Sequence, residues 1–508
     1  MAINLRFDNR YARLHPAFYQ VVDPTPLPDP YLVAFNPDAA RRIGLDPDAV
    51  DRDELTLYLA GNRRIPGSEP VAQAYAGHQF GVWVPQLGDG RALLLGQVIN
   101  PEGESWDLHL KGAGQTRFSR FGDGRSVLRS AIREYLASEA LAGLGIPTTR
   151  ALAIAGSDLP VQRERVETAA TLLRLAPSHV RFGTFEYFAA RGETDRVGEL
   201  LDHVVARHYP EVAAMEERGE AGLARMEQAV AFFGQVCRRT ARLMARWVAA
   251  GFAHGVMNTD NMSILGITLD YGPYGFLDDY DAGFICNHTD EDGRYAFGRQ
   301  PAVGMWNCAR LGEALMVLDR DAMSRPDDPA RTAPWQDALE SYWPAFNLEY
   351  GSRMRAKLGL TTERADDADL IRELLAVLQE SRADYSIFFR ELGHFQSGPG
   401  GFVRPPRGLL GEPTPRLGAW LARYAERLRR DGSEDPARRE EMTSVNPEYV
   451  LRNWIAQEAI ERAEQKDFGL IESLRLLFRE PFREHPGMER FSEPPRGAAR
   501  EIVVSCSS

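Results

Sequence analysis

The sequence predicts an α+β fold in which a β-rich part precedes a mainly helical part. Residues 75–115 hold short apolar runs rich in β-forming residues, separated by Gly and Asp-Gly turns. Residues 126–145 have apolar residues at helical spacing, and β-like runs return at 150–156 and 167–178. Residues 226–252 form the clearest amphipathic helical pattern in the chain. No internal repeat interrupts this order, which favours a two-part enzyme with terminal extensions over a repeat protein.

Bulk composition excludes several classes of protein. The chain has 508 residues and a net charge of −12, which argues against indiscriminate nucleic-acid binding. Its four cysteines are scattered, so neither a disulfide framework nor a CxxC metal site is expected. No apolar run approaches the roughly 18 residues of a membrane helix, and the first residues lack the apolar core of a signal peptide. We therefore expect a cytoplasmic enzyme with no nucleic-acid or membrane partner.

We predict four consecutive parts. Residues 1–70, rich in Pro and Asp, are expected to be an extension packed on the core, and 71–180 a β-rich lobe with one major helix. Residues 181–430 are expected to form a helical lobe, and 431–508 a helical segment with a flexible tail.

Local signals place turns and caps within the β-rich lobe. The tripeptide at 89–91, Asp-Gly-Arg, predicts a hairpin-type turn. Ser126 is the predicted N-cap of the major helix, and Gly143 or Gly145 marks its end.

A small β lobe with one helix, followed by a helical lobe with acids at the junction, is typical of a protein-kinase-like two-lobed fold. Such a fold needs a strand Lys, a helix Glu and a metal-binding Asn/Asp pair. Lys111 ends the alternating strand WDLHLK, and Glu134 lies in the following helix. Alone, each fits a surface Lys or a solvated helical Glu better than a functional residue. Together with Asn261 and Asp270, in the required order, they predict a Lys111–Glu134 ion pair.

The segment HGVMNTDNM at 254–262 carries the expected catalytic residues. Small-molecule kinases of this fold commonly have H-G-D-x-x-x-x-N, in which the Asp is the base. Here position 256 is Val, which cannot accept a proton. Asn261 and Asp270 supply the hard oxygen ligands that Mg²⁺ prefers. Asp260 is the nearest replacement base, and its alternative role is an Asx-type turn residue.

A basic segment precedes and enters the major helix. It contains a single acid, Asp123, and six basic residues: Lys111, Arg117, Arg120, Arg125, Arg129 and Arg133. Two Gly-Asp-Gly-Arg turns, at 88–91 and 122–125, let the backbone approach a ligand. Arg174 and Arg181 are candidates to bind further phosphate oxygens, and the alternative for both is a surface salt bridge.

These motifs carry a resemblance to a known family. The chain resembles the selenoprotein O (YdiU) family of kinase-like proteins over nearly its whole length. The resemblance lies in the segments 7–18, 77–98, 107–141 and 254–281 and in the final Cys506-Ser507-Ser508. Position 506, selenocysteine in some relatives, is cysteine here.

The resemblance implies an activity and a set of site residues. The family is a pseudokinase lineage that transfers AMP from ATP to protein hydroxyl groups and releases pyrophosphate, with the nucleotide flipped relative to kinases. Bacterial members are also associated with UMP transfer from UTP and with Mn²⁺ as well as Mg²⁺. Asp260 would be the proton acceptor, and Asn261 and Asp270 would hold the metal. Implied nucleotide contacts are Gly88, Gly90, Arg91, Lys111, Asp123, Gly124, Arg174, Arg181 and Asp270.

The residues themselves give a reason for the flip. Attack at the α-phosphate makes pyrophosphate the leaving group, and the 111–133 segment with Arg174 and Arg181 would supply a cationic cradle for it. Two alternatives stay open: an ordinary phosphotransferase, against which Val256 argues, and a non-catalytic ATP-binding scaffold, against which the retained acids argue.

The cysteines suggest a redox latch. Cys506 lies near the end of the tail, and Cys286 lies 16 residues after Asp270, where a kinase-like fold begins its access loop. We predict a Cys286–Cys506 bridge on oxidation, reduced by a thioredoxin- or glutaredoxin-type partner. The alternative is an inert terminal thiol. Cys237 and Cys308 are predicted to lie in helix cores.

Overall fold

Strands dominate the first third of the chain and helices the rest. The computed structural model describes residues 4–214, 221–319, 324, 328–398, 401, 414–502 and 504. The strands are β1 (Tyr19–Val21), β2 (Tyr31–Phe35), β3 (Val71–Gln73), β4 (Gly77–Gln79), β5 (Val82–Val84), β6 (Ala92–Ile99), β7 (Ser105–Lys111), β8 (Ser126–Val127), β9 (Arg150–Gln162), β10 (Val166–Ala176), β11 (Phe252–Ala253) and β12 (Gly275–Phe276).

The helices follow the same numbering by chain order. They are α1 (Pro37–Arg42), α2 (Arg52–Leu59), α3 (Leu128–Gly143), α4 (Phe182–Ala189), α5 (Thr194–His208), α6 (Pro210–Ala213), α7 (Ala221–Ala250), α8 (Gln300–Met316), α9 (Pro329–Glu340), α10 (Tyr342–Lys357), α11 (Asp367–Ser381), α12 (Tyr385–Leu392), α13 (Pro415–Asp431), α14 (Asp435–Val445), α15 (Asn453–Glu464) and α16 (Gly469–Arg479). The mixture of helix and sheet confirms the predicted α+β class.

One antiparallel sheet organises the β-rich part. Its strand order is β1-β3-β6-β7-β10-β9-β2, with β8 also paired to β10. The two outermost strands of this order, β1 and β2, both come from the first 70 residues. The predicted extension is therefore built into the sheet. Its short strands form both edges of the sheet, and short edge strands present few unpaired backbone groups.

Helix α3 packs on the sheet, and its start differs from the prediction. The N-cap is Val127, and Ser126 instead pairs with Ala170 as part of β8. The Ser126 hydroxyl lies 3.0 Å from the Ser130 hydroxyl, so sheet pairing has taken the residue that the cap pattern pointed to. The predicted end at Gly143 is confirmed.

The Asp-Gly-Arg tripeptide is not the hairpin turn that the sequence predicts. The hairpin in this region joins β4 to β5, with its turn at Phe80 and Gly81. Asp89 is buried, and its carboxylate accepts a hydrogen bond from the Gln73 backbone at 3.0 Å. A long-range contact has replaced the exposed turn that the local pattern indicated.

The helical part is built around α7, which packs against α8, α9 and α10. Cys237 and Cys308 are fully buried there, as predicted. Helices α15 and α16 return to pack on α3, so the C-terminal segment closes the back of the β-rich part. None of the helices in the described ranges offers a stretch long and apolar enough to cross a membrane.

Candidate active site

A cavity of about 590 Å³ lies where the sheet meets the loops that follow α7. Its wall brings together ten of the residues singled out from the sequence: Gly88, Gly90, Arg91, Lys111, Asp123, Gly124, Arg174, Asp260, Asn261 and Asp270. Val256 lines the same cavity, so an apolar side chain stands where a kinase-like motif would place its base. Glu134, Arg181 and Cys286 are not part of this wall.

Lys111 and Glu134 form the ion pair that the sequence predicts. The Lys111 ammonium lies 2.6 Å from Glu134 Oε2 and 3.5 Å from Asp270 Oδ1. The strand register explains the approach, because Lys111 ends β7 and Glu134 lies in α3, which packs on that sheet. Both side chains are at most 4% exposed, so this is a buried contact.

Two arginines complete the cluster around Asp270. Arg174 Nη1 lies 2.9 Å from Asp270 Oδ1 and 3.1 Å from Glu134 Oε1, and Arg181 Nη1 lies 3.1 Å from Asp270 Oδ2. Both arginines are buried, so the surface-salt-bridge alternative is wrong. Burial alone would raise the pKa of Asp270, but Arg174, Lys111 and Arg181 outweigh it and hold that pKa well below its usual range. Three cations face two carboxylates, which leaves this buried cluster net positive.

Asp260 has a different environment. Its Oδ2 accepts a hydrogen bond from Gln79 Nε2 at 3.1 Å, while the buried Oδ1 makes no hydrogen bond to any described residue. Burial raises the pKa of Asp260 to about 7. A carboxylate with that pKa and one uncommitted oxygen is suited to accept a proton near neutral pH.

Asn261 and Asp270 have the donor atoms that a hard cation requires. The Asn261 amide nitrogen donates to the Val256 carbonyl at 3.0 Å, which leaves the side-chain oxygen available to a cation. Asp270 has a φ of 62°, in the left-handed region that non-glycine residues avoid. No cluster of three or more His, Cys, Asp or Glu in the described ranges could hold a metal. The pair fits Mg²⁺ or Mn²⁺ because these ions take remaining ligands from phosphates and water.

The glycine turn at 88–90 is shaped by the segment that crosses it. Gly88 has a φ of 87°, and a Cβ there would lie 2.4 Å from the Phe118 ring. A Cβ at Gly90 would also be too close to this segment, since it would lie 2.8 Å from the Phe118 carbonyl oxygen. Only glycine at both positions lets the 112–125 segment lie against the turn and form the outer wall of the cavity.

The predicted cationic cradle is only partly correct. Arg129 pairs with Glu167 at 2.8 Å, and Arg133 Nη2 donates to the Tyr274 carbonyl at 2.9 Å. Neither reaches the cavity wall, because α3 turns these two side chains toward other neighbours. Arg120 and Arg125 do line the cavity.

Sequence reasoning missed Arg163, which also lines the cavity. It lies in the turn between β9 and β10 and pairs with Asp123 at 2.8 Å. The two residues are 40 positions apart, so no local pattern indicates the contact.

Arg181 stands behind the wall. Its Nη1 donates to the Asp260 backbone carbonyl at 2.8 Å as well as to Asp270, and its guanidinium lies 4.5 Å from the Tyr75 ring centroid. It supports both acids from the interior, so a direct nucleotide contact, which the resemblance implies, stays a prediction for this residue.

Of the proposed redox pair, only Cys286 can be placed. It is buried, and its Sγ lies 3.5 Å from the Ala253 carbonyl oxygen. Cys506 lies outside the described residues, and so does any contact it makes. The Val504 carbonyl accepts a hydrogen bond from the His288 backbone at 3.1 Å, so Val504 reaches the neighbourhood of Cys286.

Comparison with known proteins identifies the class of enzyme as nucleotidyltransferases. Residues 1–478 match the family described as protein adenylyltransferase SelO. The chain therefore belongs to the SelO family, as its motifs predict. A relative from Myxococcus xanthus, named protein nucleotidyltransferase YdiU, is 54% identical over 505 residues that cover 99% of each chain. Proteins of the same name from Thioalkalivibrio sulfidiphilus and Azotobacter vinelandii are 54% and 48% identical, again over 99% of each chain. A nucleotide is accordingly the co-substrate.

Proposed function

We propose that this protein transfers AMP from ATP to Ser, Thr or Tyr hydroxyl groups of other proteins and releases pyrophosphate. UMP transfer from UTP at the same site is the second form of the activity. The names of the family and of the relatives support a protein target and a nucleotidyl group. The strand lysine, helix glutamate and Asn/Asp pair support a kinase-like two-lobed arrangement of the catalytic parts.

Asp260 carries the proposal. It is a buried carboxylate that lines the cavity beside a valine that cannot act as a base, and its Oδ1 makes no hydrogen bond to any described residue. The acceptor hydroxyl gives its proton to the Asp260 carboxylate and attacks the α-phosphorus. The bond between the α-phosphorus and the bridging oxygen breaks, and pyrophosphate leaves with that electron pair.

The cationic wall suits the leaving group. Arg91, Lys111, Arg120 and Arg174 line one cavity together with the two glycine turns. Fixed positive charge at the β- and γ-phosphates stabilises the charge that develops on pyrophosphate. A nucleotide bound with these phosphates toward the sheet presents its α-phosphate to Asp260, which is the flipped orientation.

Asn261 and Asp270 would hold Mg²⁺ or Mn²⁺. Such an ion supplies charge neutralisation and orientation of the phosphate oxygens. The chain's own contribution is to keep the Asp270 carboxylate ionised through its three cationic neighbours and to leave the Asn261 carbonyl oxygen uncommitted.

Parallel labelling with two forms of ATP tests the proposal. Purified protein is incubated with a bacterial lysate, Mg²⁺ or Mn²⁺, and ATP labelled at either the α- or the γ-phosphate. Label from the α-position alone is expected on acid-precipitated protein. Label from the γ-position would show an ordinary phosphotransferase, and ATP binding without either label would show a scaffold.

Asp260→Asn is the matched control for that experiment, because it keeps the size and the Gln79 contact but removes the base. We expect labelling to fall by roughly two to four orders of magnitude, with ATP affinity retained. Near-normal labelling would remove Asp260 from the role of proton acceptor.

A further inference from the structure

A single histidine, His109, lies behind the cavity and links Arg174 to Asp89 of the Gly88–Gly90 turn. His109 Nε2 lies 3.2 Å from Asp89 Oδ2, and His109 Nδ1 lies 2.8 Å from Arg174 Nη2. All three residues are at most 2% exposed. His109 is directly opposite Arg174 in the β7–β10 register, and Lys111 follows two residues along the same face of β7.

The hydrogen-bond partners of His109 determine which of its two ring nitrogens carries the hydrogen. Arginine has only donors, so His109 Nδ1 must accept from Arg174. Burial lowers the pKa of His109 to about 3, which makes the ring neutral and places its one hydrogen on Nε2. That hydrogen is donated to Asp89. The hydrogen bonds therefore run in one direction, from Arg174 through His109 to Asp89.

Asp89 transmits the contact to the glycine turn. Its carboxylate also accepts from the Gln73 backbone N–H at 3.0 Å, and its own backbone N–H donates to the Gln73 carbonyl at 2.9 Å. Its carbonyl accepts from the Thr116 hydroxyl at 2.7 Å, which ties the outer wall to the turn. At the other end, Arg174 Nη1 is bonded to Glu134 and Asp270.

We propose that His109 is a positioning residue that fixes Arg174 relative to the Gly88–Gly90 turn, so that both meet the β- and γ-phosphates of the bound nucleotide. His109 does not line the cavity, so in this role it acts through Arg174 and Asp89 and not by touching the nucleotide or the acceptor. The inference rests on the proposed function in one respect, that ATP occupies this cavity with those phosphates toward the sheet. It follows that His109 governs how strongly the site prefers a triphosphate over a monophosphate.

Two variants that differ by one methylene test this role. The glutamine amide offers an acceptor for Arg174 and a donor for Asp89 on a chain long enough to reach both, so His109→Gln should keep the bridge. His109→Asn has the same groups on a shorter chain and should break it. Affinities of the full-length protein for ATP and for AMP are measured by calorimetry with Mg²⁺ present.

For His109→Asn we expect ATP affinity to fall on the order of tenfold or more, while AMP affinity changes less than about threefold. His109→Gln should restore most of the ATP-to-AMP ratio. An equal loss for both nucleotides, or no loss in a folded His109→Asn protein, overturns the inference. If His109→Asn does not fold, His109→Gln decides alone: a retained ratio supports the bridge, and a lost ratio overturns it.

His179 provides the matched control. Its ring stacks on His109 at 4.4 Å and is equally buried, but its hydrogen-bond partner is Asp107. His179→Asn should leave the ATP-to-AMP ratio unchanged, and the same loss there would overturn the assignment to His109. If the wild-type protein itself fails to bind ATP, the proposed function is wrong; if it binds ATP and only the variants disagree, this inference alone is wrong.

Discussion

Lys111 and Lys357 are both buried lysines, but their surroundings differ in kind. Lys111 lies against Glu134 and Asp270 at the wall of the cavity. Lys357, at the end of α10, has its ammonium 4.3 Å from the Phe389 ring centroid and 5.2 Å from that of Tyr385. No ion pair to Lys357 occurs in the part of the chain that the structure describes, and burial lowers its pKa to about 7.

The difference shows what distinguishes a binding site from a core. Buried charge occurs in both places, and a shifted pKa alone would select Lys357. The candidate site is marked by cations that share carboxylates at the edge of a cavity, where a phosphate could compete for them. Lys357 faces aromatic side chains within a closed core, which is a structural arrangement.

Removing the shared carboxylate is the largest expected change. Asp270→Ala should reduce nucleotide transfer by roughly three orders of magnitude or more, because it removes a hard oxygen ligand and leaves Lys111, Arg174 and Arg181 facing one carboxylate. Transfer of α-label measures the loss, and circular dichroism checks the fold. A folded variant with near-normal transfer would contradict the assignment. Lys357→Met is the control and should transfer AMP at the wild-type rate.

Lys357 should limit stability and leave activity untouched. Its pKa is about 7 in the folded protein and about 10.4 when unfolded. Between these values the unfolded chain binds more protons, so stability rises with pH across that window, and the cost of burial is fully present below pH 7. Lys357→Met should therefore stabilise the protein by on the order of 2 kcal/mol at pH 6 and by much less near pH 10.

Thermal unfolding at several pH values measures this effect. Lys466→Met is the matched control, because Lys466 is partly exposed and pairs with Asp158. It should show no gain at acidic pH. A Lys357→Met variant that is less stable than wild type at pH 6 would mean that the aromatic contacts outweigh desolvation.

Order along the chain predicted much of the site, and contacts between distant strands account for the remainder. Lys111, Glu134, Asn261 and Asp270 could be found because each lies in a short local motif, and the order of these motifs along the chain predicts a kinase-like arrangement. Arg163 could not, because a hairpin turn brings it to Asp123 from 40 positions away.

The sequence also did not reveal the direction in which each arginine side chain points. Arg129 and Arg133 belong to the same basic run as Arg120 and Arg125, but helix α3 directs them to Glu167 and Tyr274. The number of basic residues is a property of the whole segment, whereas the geometry of the helix determines which side chains point toward the cavity. The same limit applies to Ser126, whose cap pattern was overridden by pairing with β10.

Introducing a carboxylate at position 256 should have little effect on which phosphate group the protein transfers. Val256→Asp places a carboxylate at the kinase position, but a nucleotide in the proposed flipped orientation would still present its α-phosphate, so no γ-phosphate transfer is expected. Val256→Asn controls for polarity at the same size. Robust transfer of γ-label by Val256→Asp would mean that the nucleotide is not flipped.

The smallest expected effect concerns redox state. We predict that oxidation links Cys286 to Cys506 and that a thioredoxin- or glutaredoxin-type dithiol reverses the accompanying change in transfer rate. Peptide mapping without reductant identifies the bridge, and Cys506→Ala should make the rate insensitive to oxidant. Cys237→Ala is the control, because Cys237 is fully buried in α7. A Cys506 that pairs only between chains would contradict the latch.

The packing of α15 and α16 on α3 also sets the order in which the enzyme forms during its synthesis. Arg133 of α3 contacts Asn453, 320 residues later, and a Cβ at Gly143 would lie 1.8 Å from the Phe478 carbonyl oxygen. At roughly 5–20 residues per second, the ribosome needs tens of seconds to make that intervening stretch. Throughout that time the helix that carries Glu134 has its outer face uncovered. A nascent chain can therefore complete its sheet early, but it becomes a finished transferase only when α15 and α16 have been made.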